Sequence, residues 1–212
     1  MIKHVIFDLD GTLTDSKEGI IRSVEYALQK AGETTAHRLS SEIIVGPPLL
    51  TTFQETYGFS EKKARAVYAF FQERYSTIGK FENRLFPGII QLMKALATRH
   101  IRSYVATSKP EIHAREICQH FQLLPYLTAI AGPTVGGKET KIDCINRIIR
   151  CIGTKQEVVM VGDRKYDIDG AHSVGIQSVA VAYGYGSERE RQACKPDFTA
   201  YSVDELAQWL LR

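Results

Sequence analysis

Five short runs of this chain are apolar on nearly every residue rather than on every second one. They are "KHVIFDLD" (3–10), "IRSYVATS" (101–108), "LTAIAG" (127–132), "EVVMVGD" (157–163) and "IQSVAVAYG" (176–184). A strand with one wet face alternates apolar with polar residues; a strand without that alternation has both faces covered. The runs therefore predict a parallel sheet with helices on both sides. Segments of helical period lie between them. "GIIQLMKALATRH" (88–100) sets Ile89, Leu92, Met93 and Leu96 on one face, and "TKIDCINRIIRCIG" (140–153) does the same with Ile142, Ile145, Ile148, Ile149 and Ile152. Thr140 followed by Asp143 predicts a capping box at the start of the second, and Gly153 predicts its end. Strand alternating with helix gives an α/β fold with a doubly wound, mostly parallel sheet.

The first gap breaks this rhythm. Residues 15–85 stand between the first and second runs, far more than a crossover helix needs. The stretch reads as helical throughout, with "SKEGIIRSVEYALQKAG" (16–32) and "SEKKARAVYAFFQERYSTIG" (60–79) as its main helices. Tyr68, Phe71 and Tyr75 recur at helical spacing and are expected to form a packing face. Asp15 and Ser16 are expected to cap the first helix. "VGPPL" (45–49) interrupts the pattern, with Gly46 in a turn where backbone can approach a ligand. Arg74, Lys80, Glu82 and Asn83, near the return at "LFPGI" (85–89), read as a solvated face or a substrate contact. The expected organisation is an α/β core of residues 1–14 and 86–212, interrupted by a helical domain of residues 15–85 that closes over the core as a lid.

Bulk properties exclude several classes. Lys and Arg number 27 against 24 Asp and Glu, and the small excess is spread along the chain, which argues against a nucleic-acid surface. No apolar run reaches the ~18 residues of a membrane span, and the N-terminus has no signal-peptide pattern. Cys118, Cys144, Cys151 and Cys194 form no CxxC pair, and the histidines show no metal-ligand spacing. These features fit a cytoplasmic protein with reduced thiols.

In an open parallel sheet, ligands bind outside the carboxyl ends of the strands. The first run ends in Asp8 and Asp10, the second in Thr107 and Ser108, the fourth in Gly162 and Asp163 with Asp167 just beyond. Lys141 opens the helix after the third. One crevice thus receives several acids, a hydroxyl and an amine. Two aspartates separated by one residue repel each other, and a hard divalent cation with oxygen ligands offsets that repulsion.

"DLDGT", "VATSK", a lysine at a helix start and "VGDRKYD" resemble the four motifs of the haloacid dehalogenase-like phosphohydrolases, in the same order over essentially the whole chain. "GPPL", "LFPGI", "ATSKP" and "GDRKYDIDGAHSVG" are most similar to the phosphoglycolate-phosphatase-like branch, whose helical cap lies between the first two motifs. Neither Lys138 nor Lys141 precedes a proline, which departs from the third motif's usual pattern. The capping box favours Lys141 over Lys138.

The resemblance implies a Mg²⁺-dependent phosphatase acting through an aspartyl-phosphate on a small phosphomonoester, phosphoglycolate first and a nucleoside monophosphate second. Asp8 is the implied nucleophile and Asp10 the acid and base. Asp8, Asp10 through its backbone carbonyl, and Asp163 are the implied metal ligands, with Asp167 behind them. Leu9, Gly11, Thr107, Ser108 and Lys141 are the implied phosphate-binding residues, Thr107 and Lys141 with a catalytic share. The resemblance also implies no nucleic-acid or membrane partner and a monomer or weak dimer. Three rivals stand beside this reading. A phosphosugar mutase would return the phosphoryl group to sugar. A dehalogenase would lack Asp10 and Asp163. A non-catalytic binding protein would have lost one of the motif acids.

Overall fold

A computed structural model describes residues 1–33, 44, 45 and 48–212. Gly46, and with it the expected turn, lies outside the described residues. The chain divides into two compact units: Met1–Thr14 with Leu85–Arg212, and Asp15–Arg84.

The first unit is built on a six-stranded sheet. Its strands are β1 (His4–Phe7), β4 (Arg102–Ala106), β5 (Leu127–Ala131), β6 (Val158–Gly162), β7 (Gln177–Val181) and β8 (Phe198–Ala200). The order is β5-β4-β1-β6-β7-β8 and every pairing is parallel. His4 lies opposite Arg102 on one side and Val158 on the other, which fixes β1 at the centre. β2 (Thr14–Asp15) and β3 (Arg84–Leu85) pair as a separate two-stranded ribbon where the chain enters and leaves the second unit.

Both faces of the sheet are apolar, which is why the strand runs do not alternate. Val5 and Phe7 point into a core shared with α4 (Ile89–Thr98), α5 (Glu111–His120) and α9 (Val203–Leu210). Ile6, between them, points into a second core with α6 (Lys141–Ile152) and α7 (Lys165–Val174). The expected capping box is present: Thr140 Oγ1 accepts from Asp143 N at 3.3 Å, and Thr140 N donates back to the Asp143 carboxylate at 2.8 Å. Gly153 ends α6 in the left-handed conformation.

Two expectations for this unit need correction. The run 176–184 is not strand throughout: β7 stops at Val181, and residues 182–186 turn back toward Asp163. The edge strand β8 and the helix α8 (Glu188–Cys194) were not legible, because a three-residue strand gives no period to read. The four cysteines are free thiols, as expected. Burial raises the Cys118 thiol to about 12 and the Cys144 thiol to about 11, far above the range of a reactive thiolate.

The second unit packs α1 (Lys17–Lys30) against α3 (Glu61–Tyr75), with α2 (Leu49–Glu55) beside α3. Ile20, Val24, Ala27 and Leu28 of α1 and Ala64, Val67, Phe71 and Tyr75 of α3 are buried. The Phe71 and Tyr75 rings stack at 4.9 Å, so this face is packing, as its spacing predicts. A Cβ at Gly19 would lie 1.8 Å from the Gly79 carbonyl oxygen, so this crossing requires glycine. Asp15 and Ser16 do not cap α1 as expected. Ser16 holds the cap position without a side-chain bond, and Asp15 pairs with Arg84 at 2.6 Å instead. Glu82 binds Arg74 at 2.7 Å and Arg22 at 2.9 Å, and Lys80 is buried, so this cluster is tied down internally rather than solvated. Among the described residues, no helix is long and apolar enough to cross a membrane.

Candidate active site

The site grows out of the end of β1. Asp8 N donates to Val161 O at 2.8 Å, carrying the ladder one residue past the strand. The Leu9 carbonyl then accepts from the amides of Thr12, Leu13 and Thr14 at 3.3, 3.0 and 2.9 Å, closing a tight turn. The Leu9 side chain is fully buried in the core and anchors that turn. Gly11 has φ +85°, and a Cβ there would lie 2.3 Å from Asp163 Oδ2. Its missing side chain therefore makes room for a second acid from β6.

Four carboxylates meet here, and all are at least nine-tenths buried: Asp8, Asp10, Asp163 and Asp167. Lys141, the first residue of α6, reaches Asp8 Oδ1 at 2.6 Å and Asp167 Oδ1 at 2.8 Å, and donates to the Ala106 carbonyl at 3.0 Å. Lys138 is exposed in the preceding loop. Asp167 Oδ2 accepts from Arg164 N at 3.1 Å at the start of α7, so the helix it belongs to holds it in place. Asp163 Oδ2 accepts from Tyr185 N at 2.8 Å. Thr107 is buried at the end of β4, where its hydroxyl accepts from Lys109 N at 3.2 Å; Ser108 beside it is half-buried. All nine candidate residues thus lie at one end of the sheet, seven on the segments after β1, β4 and β6 and two, Lys141 and Asp167, in the first turns of α6 and α7.

The electrostatics show a shortage of positive charge. Burial pushes the Asp8 carboxyl up to about 6, although Lys141 pulls it down; Asp167 and Asp10 add to the rise. Burial also holds Asp163 well above the usual carboxylate range, with Asp167 and Asp8 pushing the same way. Burial acts to lower Lys141, but Asp167 and Asp8 outweigh it and keep the ammonium firmly charged. Four carboxyl groups face two buried ammonium groups, Lys141 and Lys109, so the cluster has two more acids than cations to pair with them.

A divalent cation fits that excess. Carboxylate oxygens of Asp8, Asp163 and Asp167 lie within 4.8 Å of one another. Asp163 Oδ1 is buried without a hydrogen-bond partner, an arrangement that is costly unless a ligand completes it. The donors are all oxygen, as a hard cation requires.

A family model described as haloacid dehalogenase-like hydrolase matches residues 5–181. The chain belongs to the haloacid dehalogenase-like hydrolases. Among relatives of this hydrolase, a 5′-nucleotidase of Pseudomonas aeruginosa is 42% identical over 206 residues, covering 96% of this chain and 92% of the relative. A protein of Mycobacterium tuberculosis named tyrosine-protein kinase PtkA is 41% identical over 210 residues, covering 97% and 72%. A phosphoglycolate phosphatase of Vibrio parahaemolyticus is 26% identical over 217 residues, covering 98% and 95%. The crystal structure of a predicted phosphatase from Clostridium acetobutylicum superposes with a TM-score of 0.94 at 38% identity, covering 100% and 99%.

Three features of the hydrolase site were not read from sequence. Lys109 sits inside the "ATSKP" motif but was given no role; its ammonium lies 2.9 Å from Asp10 Oδ2. The Tyr185 amide lies one residue past the run read as strand, in a Gly-Tyr-Gly at 184–186 that is a turn signal. Arg164, inside the "VGDRKYD" motif, is buried against Glu190 at 3.0 Å, a partner 26 residues away that the motif does not reveal.

Proposed function

We propose that this chain, a phosphoric monoester hydrolase of the haloacid dehalogenase-like family, is a Mg²⁺-dependent phosphatase of a small metabolite that works through an aspartyl-phosphate. The observation that carries the reading is the bridge from Lys141 to both Asp8 and Asp167, inside a buried cluster with two more acids than cations. Asp8 is the nucleophile: a bond forms from its carboxylate oxygen to phosphorus as the ester P–O bond breaks. Asp10 gives a proton to the departing oxygen, then takes one from the water that cleaves the aspartyl-phosphate and releases inorganic phosphate. Lys141 orients Asp8 and offsets charge on the transferring group. Thr107 and the Ser108 amide hold phosphate oxygens, and the turn at Leu9 and Gly11 presents backbone to them. Asp8, Asp163 and the Asp10 carbonyl would hold the Mg²⁺, with Asp167 behind them. Bound there, the cation supplies the positive charge that lets a carboxylate approach an anionic phosphate.

Nucleoside 5′-monophosphates rank ahead of phosphoglycolate as substrates, because the Pseudomonas 5′-nucleotidase is much the nearer of the two relatives by identity. Residues 15–84 are assigned the selection of the leaving group. A phosphotransferase is the second reading, favoured by the name of the mycobacterial relative. The test is phosphate release from a panel of nucleoside monophosphates, phosphoglycolate and sugar phosphates with Mg²⁺. Release from none of them, or quantitative transfer of phosphate to tyrosine, overturns the hydrolase reading.

A further inference from the structure

Lys109 is a buried cation beside the proposed acid that the mechanism above leaves unused. Its side chain is 5% exposed, and its ammonium stands 2.9 Å from Asp10 Oδ2. The other oxygen of the same carboxylate, Asp10 Oδ1, is buried with no hydrogen-bond partner. The two oxygens of one acid are thus held in different states.

We propose that Lys109 positions Asp10 for proton transfer, pinning Oδ2 and leaving Oδ1 to face the ester oxygen. The proposal rests on the reading of Asp10 as the acid. An ammonium group has three donors and no acceptor. A proton on Oδ2 would set donor against donor, so the acid's proton is directed to Oδ1. In the first step the Asp8 oxygen–phosphorus bond forms and the phosphorus–ester oxygen bond breaks. The proton leaves Asp10 Oδ1 for the ester oxygen, giving a free alcohol, and the resulting carboxylate stays paired with Lys109. In the second step a water oxygen bonds to phosphorus, the bond to Asp8 breaks, and Asp10 Oδ1 takes the water's proton back.

The backbone at Lys109 is built to hold this aim. Its amide donates to the Thr107 hydroxyl at 3.2 Å. Pro110 follows and fixes the entry to α5. On the far side Gly132 packs so closely that a Cβ there would lie 2.4 Å from the Lys109 carbonyl oxygen. A buried ion pair adds little net stability by itself, because desolvation offsets the attraction. Its placement on one oxygen of the acid gives it a use that stability does not explain.

The measurement is kcat/KM, which reports bond breaking up to the first irreversible step. It is taken on two esters with Mg²⁺: the best alkyl phosphate of the panel, whose alkoxide needs a proton to depart, and p-nitrophenyl phosphate, whose phenolate needs it far less. Lys109→Met keeps the apolar stem and removes the ammonium. It is expected to lower both values, with the fall on the alkyl ester larger by about 30-fold or more, a part of the 10²–10⁴ that acid–base catalysis contributes. Asp10→Asn should show the same skew, and the double variant should add little to either single one. Lys109→Arg should recover much of the alkyl-ester rate. Equal falls on the two esters, or a double variant whose losses multiply, overturn the proposal. If Lys109→Met does not fold, Lys109→Gln is read by the same ratio. Asp8→Asn separates this from the wider reading. Loss on both esters with an unskewed Lys109→Met rejects only the role of Lys109, whereas retained activity in Asp8→Asn rejects the mechanism itself.

Discussion

The two units of this hydrolase carry their charges in opposite ways. In the α/β unit, Asp8, Asp10, Asp163, Asp167, Lys109 and Lys141 are all more than nine-tenths buried, at the ends of strands. In the helical unit most of the ion pairs run along the surface, among them Lys30–Glu73, with side chains 40% and 51% exposed, and Arg65–Glu61, with 56% and 69%; Arg74–Glu82 is more enclosed. Burying a charge is expensive, and exposed pairs contribute little. A fold does not gather six charges out of water for stability. The contrast is the one expected if the first set carries the proposed chemistry and the second only keeps the surface solvated.

The largest expected effect comes from removing the proposed nucleophile. Asp8→Asn should lower turnover by roughly three decades or more while the circular dichroism spectrum and melting temperature stay near the wild type. Near-normal turnover in folded Asp8→Asn would place this buried acid among the merely structural charges and break the comparison.

Removing the metal should come next. Exhaustive chelation should abolish activity and added Mg²⁺ should restore it. Stability supplies an independent readout. Burial holds the Asp163 carboxyl above its unfolded value, so its ionisation weakens the metal-free fold as pH rises beyond that unfolded value. Asp163→Asn should therefore raise the melting temperature of the chelated protein, more at pH 8 than at pH 5, whereas added Mg²⁺ should stabilise the wild type, and the variant much less. A variant that melts lower than wild type at both pH values in chelator would contradict this account of the acid cluster.

A smaller effect separates two lysines three residues apart. Lys141→Ala should reduce kcat at least about tenfold more than Lys138→Ala, since only Lys141 is buried against acids. Equal losses would show that burial at this helix start does not decide function.

The smallest effect should come from the helical unit. Glu73→Gln removes the 2.6 Å pair to Lys30. It should move the melting temperature by no more than about 2 °C and leave kcat/KM within twofold. A larger shift would show that surface pairs on α1 and α3 stabilise this fold more than their exposure implies.

What sequence could and could not show divides by range. α6 was legible to its caps, because Thr140, Asp143 and Gly153 act within a turn of their own positions. The meeting of Asp8, Asp163 and Lys141 was legible because parallel strands put their ends together whatever the details of packing. Asp15 was misread because its partner, Arg84, is distant in sequence and adjacent only through the β2–β3 ribbon. Lys109 was overlooked for the same kind of reason: a lysine in a strand-end loop looks solvated until Asp10 is known to lie beside it. Sequence patterns carried the elements and the convergence of their ends; side-chain partners from different strands needed coordinates.

The position of β1 bears on how the protein is made. β1 comes before the other five strands in chain order, yet it sits in the middle of the finished sheet, between β4 and β6. Its neighbours begin at Arg102 and Val158, so a nascent chain leaves one or both edges of "HVIF" unpaired until residues 158–161 have been synthesised. Such late, non-local closure makes folding slow and leaves an apolar strand unpaired in the interim. Rare-codon pauses before residue 158 should prolong that interval, and chains arrested there should be the ones that chaperones hold.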